Sequence, residues 1–153
     1  MSGPETRLAE LGLALPDPAA PIANYVPFVV SGAQVFVSGQ ISMGPDGITT
    51  GRLGEDMDLE AGQAAAKLCA VNIIAQLKAA SGGDLSRVKR IVKLGGFVNA
   101  APGFTDLPQV INGASDLMVE VFGEAGRHAR AAVACPVLPR GAAVEIDAVA
   151  ELA

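Results

Sequence analysis

Apolar residues recur along this chain with two periods, and the changes of period mark its elements. In "PETRLAELGLALP" Leu8, Leu11 and Leu15 fall at helical spacing until Pro16 closes the run, and the proline-rich "PDPAAPIAN" reads as a connector. Residues 1–19 are therefore expected to form a helical arm packed on the remainder. Residues 25–30 and 35–41, within "YVPFVVSGAQVFVSGQI", are β-branched and aromatic runs separated by a short turn, which predicts a hairpin. Pro27 cannot donate to a ladder, so the first strand lies at an edge or starts after it. From Asp58, a candidate cap, Leu68, Val71, Ile74, Ala75 and Leu77 follow helical spacing until "SGGD" ends a long amphipathic helix. "VKRIVKLGGFVNA" predicts a strand whose glycine pair permits a bulge or a close approach of another backbone. "QVINGASDLMVEVFGEAG" carries Val110, Leu117, Val121 and Phe122 on a second helical stripe that Gly113 weakens. "RAAVACPVL" and "AAVEIDAVAEL" complete the pattern as two strands expected to form a hairpin about residues 139–141.

The order strand, strand, helix, strand, helix, strand, strand implies an α+β layer with both helices on one face of a sheet. Strands as apolar as residues 35–41 carry hydrophobic side chains on both faces, and two helices cover one. Self-association would cover the other. The chain's 153 residues suit one domain spanning 1–153, and 50% hydrophobic residues suit a folded one.

Charge and composition narrow the function. A net charge of −5 argues against nonspecific binding to nucleic acid or to an anionic membrane. One histidine makes a zinc site improbable, and Cys69 and Cys135 lack CxxC spacing, so reduced thiols in a cytoplasmic protein are expected. Cys69 falls in the helical apolar pattern and is assigned to the core. "SGQISMGPDG" has glycines but no GK[ST] ending, so it is not a phosphate loop.

The remaining chemistry gathers in "GRHARAAVACPVLPRGAAVEIDAVAEL". On a strand, His128, Arg130, Ala132 and Ala134 share a face, and the small alanines leave room beside a guanidinium. A hairpin symmetric about Leu138 and Pro139 would place Arg130 opposite Asp147 and diagonal to Glu145. Two readings follow: a structural ion pair, or a hollow in which Arg130 binds a carboxylate while Glu145 holds a water. His128, nearer the strand end and without an evident orienting partner, is assigned a surface role.

"RHARAAV" followed by "LPRGAAVEIDAVAEL" resembles the C-terminal signature of the Rid family, the reactive-intermediate deaminases or YjgF-like proteins, also known as L-PSP endoribonucleases. "NYVPFVVSGAQVFVSGQI" resembles the family's N-terminal signature and "GFVNAAPGFTDLPQVIN" its middle one, together covering most of residues 20–152. The resemblance implies a chorismate-mutase-like fold that assembles as a homotrimer with ligand sites between subunits. It further implies that Arg130 binds the substrate carboxylate, that Glu145 positions or activates water, and that Tyr25, Ser38, Gly39 and Asn112 line the cleft. Ala132 stands where deaminase members often carry cysteine. Cys135 cannot replace that thiol, since three residues along a strand reverse the face.

The implied reaction is hydrolysis of a 2-imino or 2-enamino acid to a 2-keto acid and ammonia, with no metal or organic cofactor. The alternative is a noncatalytic trimer that binds a carboxylate metabolite. Endoribonuclease activity, which the older family name suggests, ranks last because the chain is acidic and has no histidine pair.

Overall fold

Five strands, residues Phe28–Ser31 (β1), Gln34–Ile41 (β2), Val88–Asn99 (β5), Ala129–Cys135 (β6) and Val144–Leu152 (β7), form one mixed sheet in the order β1-β2-β7-β5-β6. The computed structural model describes residues 2–18 and 23–153. A two-stranded ribbon, Met43–Gly44 (β3) with Gly47–Ile48 (β4), fills the loop after β2. Helices Leu59–Ala80 (α2) and Leu107–Phe122 (α3) pack on one face of the sheet. A short helix Pro4–Glu10 (α1) lies against α3.

The long helix starts where the sequence predicts. Asp58 is extended and its side chain accepts from the Ala61 N–H at 2.9 Å, satisfying one of the first-turn donors. Cys69, Ile73, Ile74 and Leu77 are wholly buried from this helix, and Val110, Ile111, Ala114 and Met118 from α3. They meet Leu94, Val144, Ile146 and Ala150 of the sheet in a single core. The Cys69 thiol donates to the Val144 carbonyl at 3.4 Å, and burial pushes its pKa well up, so it stays protonated in the core.

The arm is shorter than its leucine spacing suggests. Gly12, with φ +71°, breaks α1 just beyond its Leu11 cap, and Leu13 and Leu15 pack on the core as irregular chain. Residues 1 and 19 of the expected arm, and 20–22 of the connector, lie outside the described residues. β1 begins after Pro27 and is an edge strand, as the missing N–H requires.

The expected hairpin between the last two strands does not form. β6 pairs in parallel with β5, Arg130 opposite Leu94, while β7 lies between β2 and β5 and is antiparallel to both. The physical reason is the crossover: β5, α3 and β6 make one βαβ unit, which sets β6 beside β5 with α3 packed across them. β7, buried along Val144, Ile146, Ala148 and Ala150, then takes the central position that its apolar face favours. The connection from Pro136 to Ala143 is a loop containing a single turn at Pro139–Gly141, with Arg140 at φ 58°, rather than a tight hairpin bend.

The glycine pair of β5 serves both faces. A Cβ on Gly96 would lie 2.7 Å from Ile111, so its absence lets α3 settle on the sheet. A Cβ on Gly95 would strike the Asp147 carboxylate on the opposite face. Both neighbours are side chains rather than backbone.

The open face carries apolar surface. Val29, Phe36 and Val133 are about half exposed there, and a hollow of about 510 Å³ passes between Phe36, Phe97 and Asp147. No helix of the described residues is long and apolar enough to cross a membrane.

Candidate functional site

Arg130 lies on the helix-covered side of β6. Its register partner Leu94, and Ala148 across from Leu94, are both buried beneath the helices, which fixes the face. There the guanidinium Nη1 donates to Asn112 Oδ1 at 2.8 Å and to Ser115 Oγ at 3.1 Å. Asn112 and Ser115 are three residues apart on α3, hence on one side of the helix, and the close seat of α3 over Gly96 brings them within reach. An open pocket of about 240 Å³ borders this cluster, lined by Ser115, Asp116, Val119, Arg127, His128 and Arg130.

Of the two readings of Arg130, the structural ion pair with Asp147 or Glu145 is absent. Salt bridges among the described residues join Arg52 to Glu55, Lys89 to Glu151 and Arg127 to Glu124. Since β5 separates β6 from β7, and Glu145 alternates with the buried Val144 and Ile146, Glu145 projects from the face opposite Arg130.

Glu145 forms a second cluster with the strand signature of β2. The ladder between β2 and β7 slips between Val37 and Gln40, leaving Ser38 and Gly39 in an irregular segment. A Cβ on Gly39 would stand 3.0 Å from the Glu145 carboxyl carbon, so glycine leaves room for that side chain. Ser38 Oγ donates to the Val26 carbonyl at 2.7 Å, and its N–H to the Pro27 carbonyl at 2.8 Å, tying the segment to the strand edge. Partial burial, then the nearby Asp147 carboxylate, raise the pKa of Glu145 above the ordinary glutamate value.

That shift has a thermodynamic sign. A carboxyl that holds its proton more tightly when folded contributes stability at acid pH and loses it as pH rises through the raised value. Glu145→Gln is therefore expected to melt above the wild type at pH 7, with the gain vanishing below about pH 4. Thermal melts of both proteins across that range check it; a constant difference would contradict the assignment.

Of the residues singled out in the sequence, the structure joins Arg130 to Asn112 on one face and sets Glu145 beside Gly39, the neighbour of Ser38, on the other. Ala132 opposes Gly96, on the Arg130 side, and packs on the core. Tyr25, 56% exposed, precedes the edge strand and hydrogen-bonds to neither cluster. His128 is not a free surface residue: its Nε2 lies 2.8 Å from Ser115 Oγ and its Nδ1 2.6 Å from the Gly126 carbonyl. Ser115 is not marked by any sequence motif; its one signal is the i,i+3 spacing from Asn112.

Residues 5–152 match the family model described as "YjgF/chorismate_mutase-like, putative endoribonuclease", and the chain belongs to that family. It is 54% identical to Protein TCP17 of Trypanosoma cruzi over 147 residues, 95% of this chain and 91% of that protein. Among solved structures, Atu1372 of Agrobacterium tumefaciens, a protein of unknown function, superposes with a TM-score of 0.93 at 53% identity, covering 98% of this chain and 92% of that one. TdcF of E. coli, solved with bound serine, superposes with a TM-score of 0.62 at 28% identity, covering 90% and 94%.

Proposed function

We propose that this protein hydrolyses reactive 2-imino and 2-enamino acids to 2-keto acids and ammonia in the cytoplasm, at a site completed between the subunits of a homotrimer. The observation that carries this reading is the division of the candidate residues. Arg130 presents a guanidinium, anchored on one side by Asn112, to an open pocket, whereas Glu145 lies on the opposite face of the same sheet. One copy cannot bring both to one small substrate. The half-exposed Val29, Phe36 and Val133 around the Glu145 face suit burial against a second copy.

In this reading Arg130 of one subunit binds the substrate carboxylate through paired charge-assisted hydrogen bonds. Glu145 of the next subunit holds a water against the imine carbon. The water oxygen bonds to that carbon as the C=N electron pair moves to nitrogen. Proton transfer from oxygen to nitrogen and cleavage of the C–N bond then release ammonia and leave the keto acid. Ala132 leaves the Arg130 side without a thiol, and this chemistry does not use one. The membership of the YjgF-like family and the serine bound by TdcF support a small amino-acid-like ligand.

A second reading, a noncatalytic trimer that binds a carboxylate metabolite through Arg130, is favoured by Ala132 standing at the position of the family's cysteine. Release of 2-keto acid from enzymatically generated 2-aminoacrylate and bulkier imines separates the two. Acceleration by the purified protein is expected; none across the panel would leave the binding trimer.

A further inference from the structure

The hydrogen-bond chain around Arg130 has only one consistent direction when the histidine is neutral. The Gly126 carbonyl bears no proton, so Nδ1 of His128 donates to it across 2.6 Å. Nε2 is then the acceptor, and the Ser115 hydroxyl donates to it across 2.8 Å. With its proton committed, Ser115 Oγ offers lone pairs to Arg130 Nη1. Gly126 itself lies so close to α3 that a Cβ there would collide with the Met118 carbonyl.

Both hydrogens of Nη1 are thus occupied, one by Asn112 Oδ1 and one by Ser115 Oγ. The Nε and Nη2 donors make no hydrogen bond among the described residues, and they form the edge of a guanidinium that matches the two oxygens of a carboxylate.

We propose that Ser115 and His128 are positioning residues that lock Arg130 with its Nε–Nη2 edge free to bind the carboxylate of a small ligand. His128 acts only through Ser115: it orients the hydroxyl that orients the guanidinium. The inference rests on the reading of Arg130 as the carboxylate clamp and adds to it the pair that sets the clamp's angle. Asp116 and Arg127 also line the pocket, but Arg127 is paired with Glu124, so Arg130 is the lining arginine without a carboxylate partner among the described residues.

The test is direct binding of 2-oxobutyrate, measured by calorimetry, beside the keto acid assay. Ser115→Ala and His128→Phe are each expected to weaken binding on the order of five- to tenfold, the first by removing a charge-assisted hydrogen bond to Arg130 and the second by releasing the hydroxyl that accepts it. The double variant should be no weaker than Ser115→Ala alone, since His128 has no separate route to Arg130. His128→Gln, whose amide oxygen can accept from Ser115, should return affinity to within about twofold of wild type. In catalysis KM should rise with kcat nearly unchanged, whereas a group that transfers protons would lower kcat. Unchanged affinity in both single variants, fully additive losses, or a kcat effect without a KM effect would each overturn the proposal. If wild-type protein does not bind 2-oxobutyrate, the clamp falls and this inference with it. Binding with the expected variant pattern but no imine hydrolysis would overturn the deaminase reading and leave this one standing.

Discussion

Arg130→Ala is expected to lower kcat/KM for keto acid release by about a hundredfold or more, from loss of the paired charge-assisted bonds and of the orientation they impose. Arg130→Lys should recover little. An ammonium cannot donate to Asn112 and Ser115 while presenting a planar two-donor edge to the ligand, so charge without the fork loses the alignment. Steady-state assays with 2-aminoacrylate generated in situ read both variants. Near wild-type activity in Arg130→Ala would remove Arg130 from the site and favour its role as a brace between α3 and β6.

The largest effect on stability should come from Gly113→Ala. Helix propensity alone predicts that alanine in the middle of α3 would stabilise by about 1 kcal/mol. The packing predicts the opposite, because the added methyl group would run into the Gln63 carbonyl where α2 and α3 cross. Backbone cannot move aside as a flexible side chain can, so destabilisation of about 3 kcal/mol and a fall in Tm on the order of 10 °C are expected. Melting the variant beside wild type checks this, and a rise in Tm would show that the helices separate at little cost.

Gly113 also shows where sequence reading stops. Periodicity located α2, α3 and the strand runs because those patterns depend on which residues face the core. It could assign Gly113 only a propensity penalty, since the closeness of α2 is a property of two helices together. The final pair of strands failed for the same reason. Two apolar runs joined by a proline- and glycine-containing turn look like a hairpin locally, but the crossover through α3 decides the partner of β6, and β7 finds more apolar contact between β2 and β5. The error carried into the site, since Arg130 and Glu145 were expected in one hollow and lie on opposite faces.

The chemistry of the individual residues was more legible than their arrangement. Arg130 beside small alanines and Glu145 on an alternating strand were marked by residue type and position, and the resemblance added Asn112, which bonds to Arg130. His128 looks like a surface residue in the sequence because its partners, the Ser115 hydroxyl and the Gly126 carbonyl, come from a helix and from the turn after it. Neither could be paired with a strand end before the crossover was known.

The central claim, a site shared between copies, is tested most directly by mixing two inactive variants. Arg130→Ala retains Glu145, and Glu145→Gln retains Arg130, so random reassembly of the two leaves about a quarter of the interfaces with both groups intact. Keto acid release should therefore return to about a quarter of the wild-type rate after the variants are unfolded and refolded together, and not when they are combined without subunit exchange. A refolded mixture that stays as inactive as its parents, although exchange is verified by mass spectrometry, would contradict a site built from Arg130 of one subunit and Glu145 of the next.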